Sequence, residues 1–230
     1  MTEKKKSRFG EWLGRTFRPL GLFLERAGLF ADFVFSSVLP RRKITRRLRG
    51  VCAENHKSDM TNDSRGYVND QGVSGALGKL RFGDYSLNDN GCGIISVYNS
   101  LTSVGERASM ADIADVFSRE RINVNGLKKR GKYGANPFSL RRGIKAFGFE
   151  CKKVPLDELS QDGLYIIGYF NPGETFFATA HFITVKTADD VSTAYNYSRD
   201  NRAVTVDTEN FRRGFIRGYR LTKTTKSTPV

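Results

Sequence analysis

The chain has 230 residues, 39% hydrophobic and 12% aromatic, which is room for one compact domain plus an appendage. That composition excludes collagen, coiled coil and wholesale disorder. The formal charge of +14 is uneven: residues 1–50 hold thirteen Lys/Arg against four acids, a net of +9, leaving +5 for the rest. A basic arm of this kind suits a polyanion, an anionic membrane surface before a nucleic acid, or is simply a solvated tail. Three cysteines, Cys52, Cys92 and Cys151, are too few and too scattered for a disulfide scaffold. They fit a reducing compartment, or an exported protein without bridges.

Along the arm, Leu13, Phe17, Leu20, Leu24, Ala27, Ala31, Val34 and Val38 recur at three and four. The spacing predicts one or two amphipathic helices over 9–39, broken near Pro19-Leu20-Gly21. Three roles compete for them: lying on an anionic membrane, covering a catalytic groove as a pro-segment, or docking as extra core. Glu25, Arg26 and Asp32 interrupt the apolar run, so neither a secretory signal nor a spanning helix is expected. The expected setting is cytoplasmic, with the arm as a route to a membrane surface. Arg41–Gly50 reads as a basic hinge, and 53–75 as a polar linker without apolar period. The expected organisation is therefore an arm at 1–50, a linker at 51–76 and a catalytic domain at 77–230.

Helices come first in the domain. Gly93–Ser103 and Ser109–Arg119 have helical spacing, with Ser109 as an N-cap ahead of Asp112. Asn136-Pro137 opens a third over Phe138–Phe147, stopped by Gly148. Four β-rich runs follow, Leu164–Phe170, Phe176–Lys186, Val191–Tyr197 and Gly214–Thr222, with turns at Asn171-Pro172-Gly173 and Ala188-Asp189-Asp190. Helices and then hairpin-linked strands give an α+β class, N-terminal helices packed on an antiparallel β-sheet. No glycine-rich phosphate loop argues for a nucleotide fold.

Three residues carry the candidate chemistry. Cys92, in Asp89-Asn90-Gly91-Cys92-Gly93, falls in a first helical turn if Asn90 is the N-cap, where free amides favour a thiolate. Its flanking glycines leave the sulfur approachable. His181 stands inside an apolar strand, in Ala180-His181-Phe182-Ile183-Thr184-Val185, and needs a polar partner. Asn196, fifteen residues later across a hairpin, is placed to accept the imidazole N–H. Each residue alone has an ordinary structural reading; the three together match a recognisable pattern.

That order resembles papain-like cysteine peptidases. More closely, it is similar to the compact bacterial branch that processes double-glycine leader peptides of bacteriocins. The resemblance rests on Asp89–Gly93 with its apolar helix, on Ala180–Val185 and on Tyr195-Asn196, and it covers roughly 82–222. The spacing of 89 residues from Cys92 to His181 is shorter than papain's ~130–150 and suits a minimal version of that fold. The resemblance implies a peptide or protein substrate, no cofactor, and a thioester intermediate. The compact branch has Asp as its third residue where this chain has Asn196, with Asp200 as a fallback. It also has a Gln shortly before the cysteine, absent here, so Asn88 is the nominee for the oxyanion donor. In the expected mechanism His181 and Cys92 form an imidazolium–thiolate pair that attacks a carbonyl. An acyltransferase, a deamidase, or a non-catalytic module working through the basic arm are the alternatives. Cys52 and His56 are spaced like half a zinc site with no second pair, so no metal is expected. Lys128–Gly134 reads as a solvated basic loop and Cys151 as structural.

Overall fold

The computed structural model describes residues 19–24, 26–34, 46–58, 66–72, 75–120, 122, 134–170, 180–197 and 202–224. Helix α1, residues 19–24 and 26–34, lies in the arm. Helix α2, Arg46–Ser58, follows where a hinge and a linker were expected. Its inward contacts are polar: Asn55 donates to the Arg81 carbonyl and accepts from the Arg81 N–H, both at 2.8 Å.

After α3 (Gly75–Lys79), a two-residue hairpin pairs β1 (Arg81–Phe82) with β2 (Tyr85–Ser86). The short helix α4 (Leu87–Asn90) then runs almost directly into α5 (Cys92–Ser103). Gly91 joins them in helical conformation, its N–H bonded to the Leu87 carbonyl at 2.9 Å. The expected cap on Asn90 is therefore displaced: Gly91 is the N-cap residue, and the Asn90 amide donates to the Phe82 carbonyl at 3.0 Å. Helix α6 (Met110–Arg119) begins as the sequence indicates, with a reciprocal capping box between Ser109 and Asp112. Helix α7 (Leu140–Ala146) starts two residues later than expected, because Pro137–Ser139 form a turn first.

Strands β3 (Phe149–Val154), β4 (Gly163–Phe170), β5 (Ala180–Ala188), β6 (Val191–Tyr195), β7 (Val204–Thr205) and β8 (Phe215–Lys223) make one antiparallel sheet, in the order β3-β8-β4-β5-β6-β7. The β5–β6 turn is built on Asp189 and Asp190, both left-handed at φ 50 and 62°, a conformation aspartate tolerates and tight hairpins require. The expected turn at 171–173 and the basic loop 128–133 lie outside the described residues. One sheet face packs Ile166, Phe182 and Leu221 against α4–α7. The other packs Tyr165, Ile167, Tyr169, Ile183 and Val185 against Leu156, Leu159 and Phe211 from two short 3-10 turns. Burial on both faces explains why β4 reads as an unbroken apolar run.

Candidate active site

Cys92 is the first residue of α5 and only 6% exposed. The glycines beside it serve packing rather than access. A Cβ on Gly91 would meet the Leu87 carbonyl at 2.5 Å, and one on Gly93 would meet the Ala135 Cβ at 2.6 Å. The sulfur itself is surrounded by main-chain donors: the N–H groups of Phe182, Gly93 and Cys92 all favour its anion. Burial opposes them and wins, pushing the thiol up to about 11. The turn of α4 directly ahead of α5 explains part of this, since Cys92 does not sit at a free helix end.

His181 is one residue from the Phe182 N–H. Strand alternation turns its ring to the face opposite Phe182, under Tyr169, with the two rings edge-on at 5.8 Å. Strand β6 has already ended there: its last paired residue is Tyr195, opposite Thr184. The first turn of α5 meets the sheet at that gap, and one turn further on Thr184 donates to the Ser96 carbonyl at 2.8 Å. Tyr169 feels both groups: its ring meets His181, and its phenol is pushed up by burial, by Tyr197 and by the charge of a Cys92 thiolate.

Asn196 reaches the histidine in an unexpected way. It lies just past β6 with φ 62°, a left-handed turn that asparagine accepts. This conformation swings its main-chain carbonyl onto the His181 Nε2 at 2.8 Å. Its side chain points elsewhere, accepting from the Gln71 N–H at 3.1 Å. A carbonyl only accepts, so Nε2 carries the ring proton and Nδ1 is left with its lone pair. Burial lowers the His181 pKa, partly offset by that carbonyl. The raised thiol and the lowered imidazole both favour the neutral forms at rest.

A depressed histidine leaves a measurable trace in stability. The folded state holds His181 neutral, so its contribution is present above the ordinary value near 6.5 and is lost as pH falls through the lower folded value. Denaturant midpoints measured between about pH 7 and pH 5 should fall for the wild type. His181→Gln should flatten that part of the curve; parallel curves would show that the imidazole is not held neutral.

Asn88 has its amide against Gly78 of α3, where a Cβ would stand 3.3 Å from Nδ2. Its carbonyl, four residues before Cys92, accepts from the Gln71 side chain at 2.9 Å. Gln71 thus bridges the α4 side and the Asn196 side of the site, a contact that no local pattern around Cys92 reveals. Its loop, 66–72, is tied down along its length. Asn99 exchanges two hydrogen bonds with Val68 at 2.9 and 2.8 Å, and Tyr67 stacks on Tyr195 with centroids 4.0 Å apart.

The remaining candidates sit apart. Cys52 and His56 face Asp115 of α6, with His56 Nε2 3.2 Å from Asp115 Oδ2 and the Cys52 thiol pushed up to about 12 by burial and by its bond to Asp115. No group of three or more His, Cys, Asp or Glu among the described residues could hold a metal. Cys151 is buried in the helix-side core, and Asp200 lies outside the described residues.

The molecule is thus a mixed helical and antiparallel-sheet protein. No protein-family model and no curated protein matches the chain. Among solved structures it is similar to the peptidase domain of ComA from Streptococcus, a bi-functional ABC transporter involved in a quorum-sensing pathway. That match has 14% identity and a TM-score of 0.44, covering 58% of this chain and 91% of that one.

Proposed function

We propose that this protein is a thiol peptidase in which Cys92 attacks a peptide or amide carbonyl and His181 is its base. One observation carries the reading: the buried Cys92 sulfur lies at the Phe182 N–H, next in sequence to a histidine whose Nε2 is already committed to a carbonyl. In this reading the thiol proton passes to Nδ1 as the sulfur bonds to the carbonyl carbon, and the C=O electron pair moves onto oxygen. The main-chain N–H of Cys92 serves as the oxyanion donor in place of the Asn88 amide. Collapse re-forms the C=O and breaks the C–N bond, while the imidazolium returns its proton to the departing amine. Water then attacks the thioester with His181 again as base, and the thiol is restored. Burial, which disfavours each charged form alone, strengthens the attraction between the imidazolium and the oxyanion once both form.

Asn196 orients the ring through its carbonyl, and Gln71 holds Asn196 in that turn while anchoring the Asn88 carbonyl. The test is labelling with a peptide that bears a thiol-directed electrophile, read by intact-protein mass. Wild type should take up one equivalent on Cys92, and Cys92→Ala none. Equal uptake by Cys92→Ala, placed on Cys52 or Cys151, would end the proposal.

A further inference from the structure

Helix α1 presents two different faces. One is docked on the rest of the molecule by polar and edge contacts. The Arg26 guanidinium donates to the Phe215 carbonyl, and the Asn136 amide donates to the Leu29 carbonyl at 3.0 Å and to the Asp32 carboxylate at 2.8 Å. Phe30 and Phe33 touch Phe138, with centroids 5.5 and 6.2 Å apart. The other face is largely exposed, with Phe30 at its border. Leu20, Phe23, Leu24, Phe30 and Val34 are 51, 66, 56, 52 and 41% exposed, and Ala27 and Ala31 between them are exposed too.

At 100° per residue these seven side chains fill an arc of about 120°, centred opposite Leu22, Leu29 and Phe33. Every residue on that arc is apolar. The regular stripe in the sequence is thus turned away from the domain, while irregular polar contacts hold the helix in place. Large apolar side chains gathered on one outward stripe mark a surface that has a partner.

We infer that this stripe binds the surface of an anionic phospholipid membrane. The charge of the flanking sequence selects that occupant: residues 1–50 carry a net +9, which attracts anionic headgroups while the stripe enters the acyl boundary. The helix lies on the bilayer rather than through it, since no helix among the described residues is long and apolar enough to cross one. The anchor also stands close to the candidate site. Asn136, which grips α1, follows Ala135, and Ala135 packs on Gly93 beside Cys92.

Co-sedimentation of the full chain with vesicles tests this. The protein should pellet with vesicles of equal parts phosphatidylcholine and phosphatidylserine, release as salt rises, and stay in solution with phosphatidylcholine alone. Leu24→Glu and Ala27→Glu, both on exposed positions, should weaken binding by about tenfold or more while leaving thermal unfolding unchanged. Equal binding by these variants would overturn the inference, as would equal binding to neutral vesicles. So would a wild type that is dimeric in solution and becomes monomeric when Leu24 is changed, since the stripe would then belong to a second copy. The labelling of Cys92 is independent of all these outcomes.

Discussion

His181→Ala should lower turnover of a peptide substrate by roughly 10²–10⁴-fold, measured at a pH and temperature where circular dichroism shows the variant folded. The resting protonation states set the size of this effect. A thiol held up to about 11 supplies almost no thiolate at neutral pH, so attack depends on a base that takes the proton as the bond forms. The thiol itself obeys the same balance. Alkylation of Cys92 by a small neutral reagent should climb steadily as pH rises towards 11, with no plateau on the acid side. A plateau below neutrality would reveal a preformed ion pair, and an unchanged turnover in His181→Ala would remove the histidine from the mechanism.

Asn196→Gly should cost less than about tenfold in kcat/KM, whereas Asn196→Val should cost at least about 100-fold. Glycine keeps the left-handed turn and therefore the carbonyl that meets Nε2; it gives up only the side-chain bond from Gln71. Valine is strained at φ 62° and should pull the carbonyl away from the ring. If the amide side chain were the orienting group, the two variants would fall together. Measuring kcat/KM across pH for both separates the cases, because a loosened imidazole should also move towards its ordinary titration range.

Local signals account for the parts of this fold that were legible. Ser109 and Asp112 announce the start of α6, Asp189-Asp190 announce a tight hairpin, and the apolar runs of α5, β4 and β5 are long enough to stand out. Helix α2 was read as hinge and linker because Asn55 and His56 make its contacts, and hydrophobic periodicity is blind to an amide gripping a strand. Strand β3 hid behind Glu150, Lys152 and Lys153, whose alternation over six residues is too brief to separate from a loop. At the site, Cys92, His181 and Asn196 were nominated from residue type and order. Whether Asn196 acts with its side chain or its backbone depends on one dihedral angle, which residue type leaves open. Gln71 escaped notice for a related reason: it lies 21 residues before Cys92, and only tertiary packing brings it to Asn88 and Asn196.

The loop 66–72 has a practical consequence for dividing this chain into pieces. A fragment begun at Leu77 would retain all three proposed reacting and orienting residues yet lose Gln71, the stacking partner of Tyr195 and the strap along Asn99. Such a fragment would carry a complete inventory of chemistry with its brace removed, leaving the turn at Asn196 free to relax.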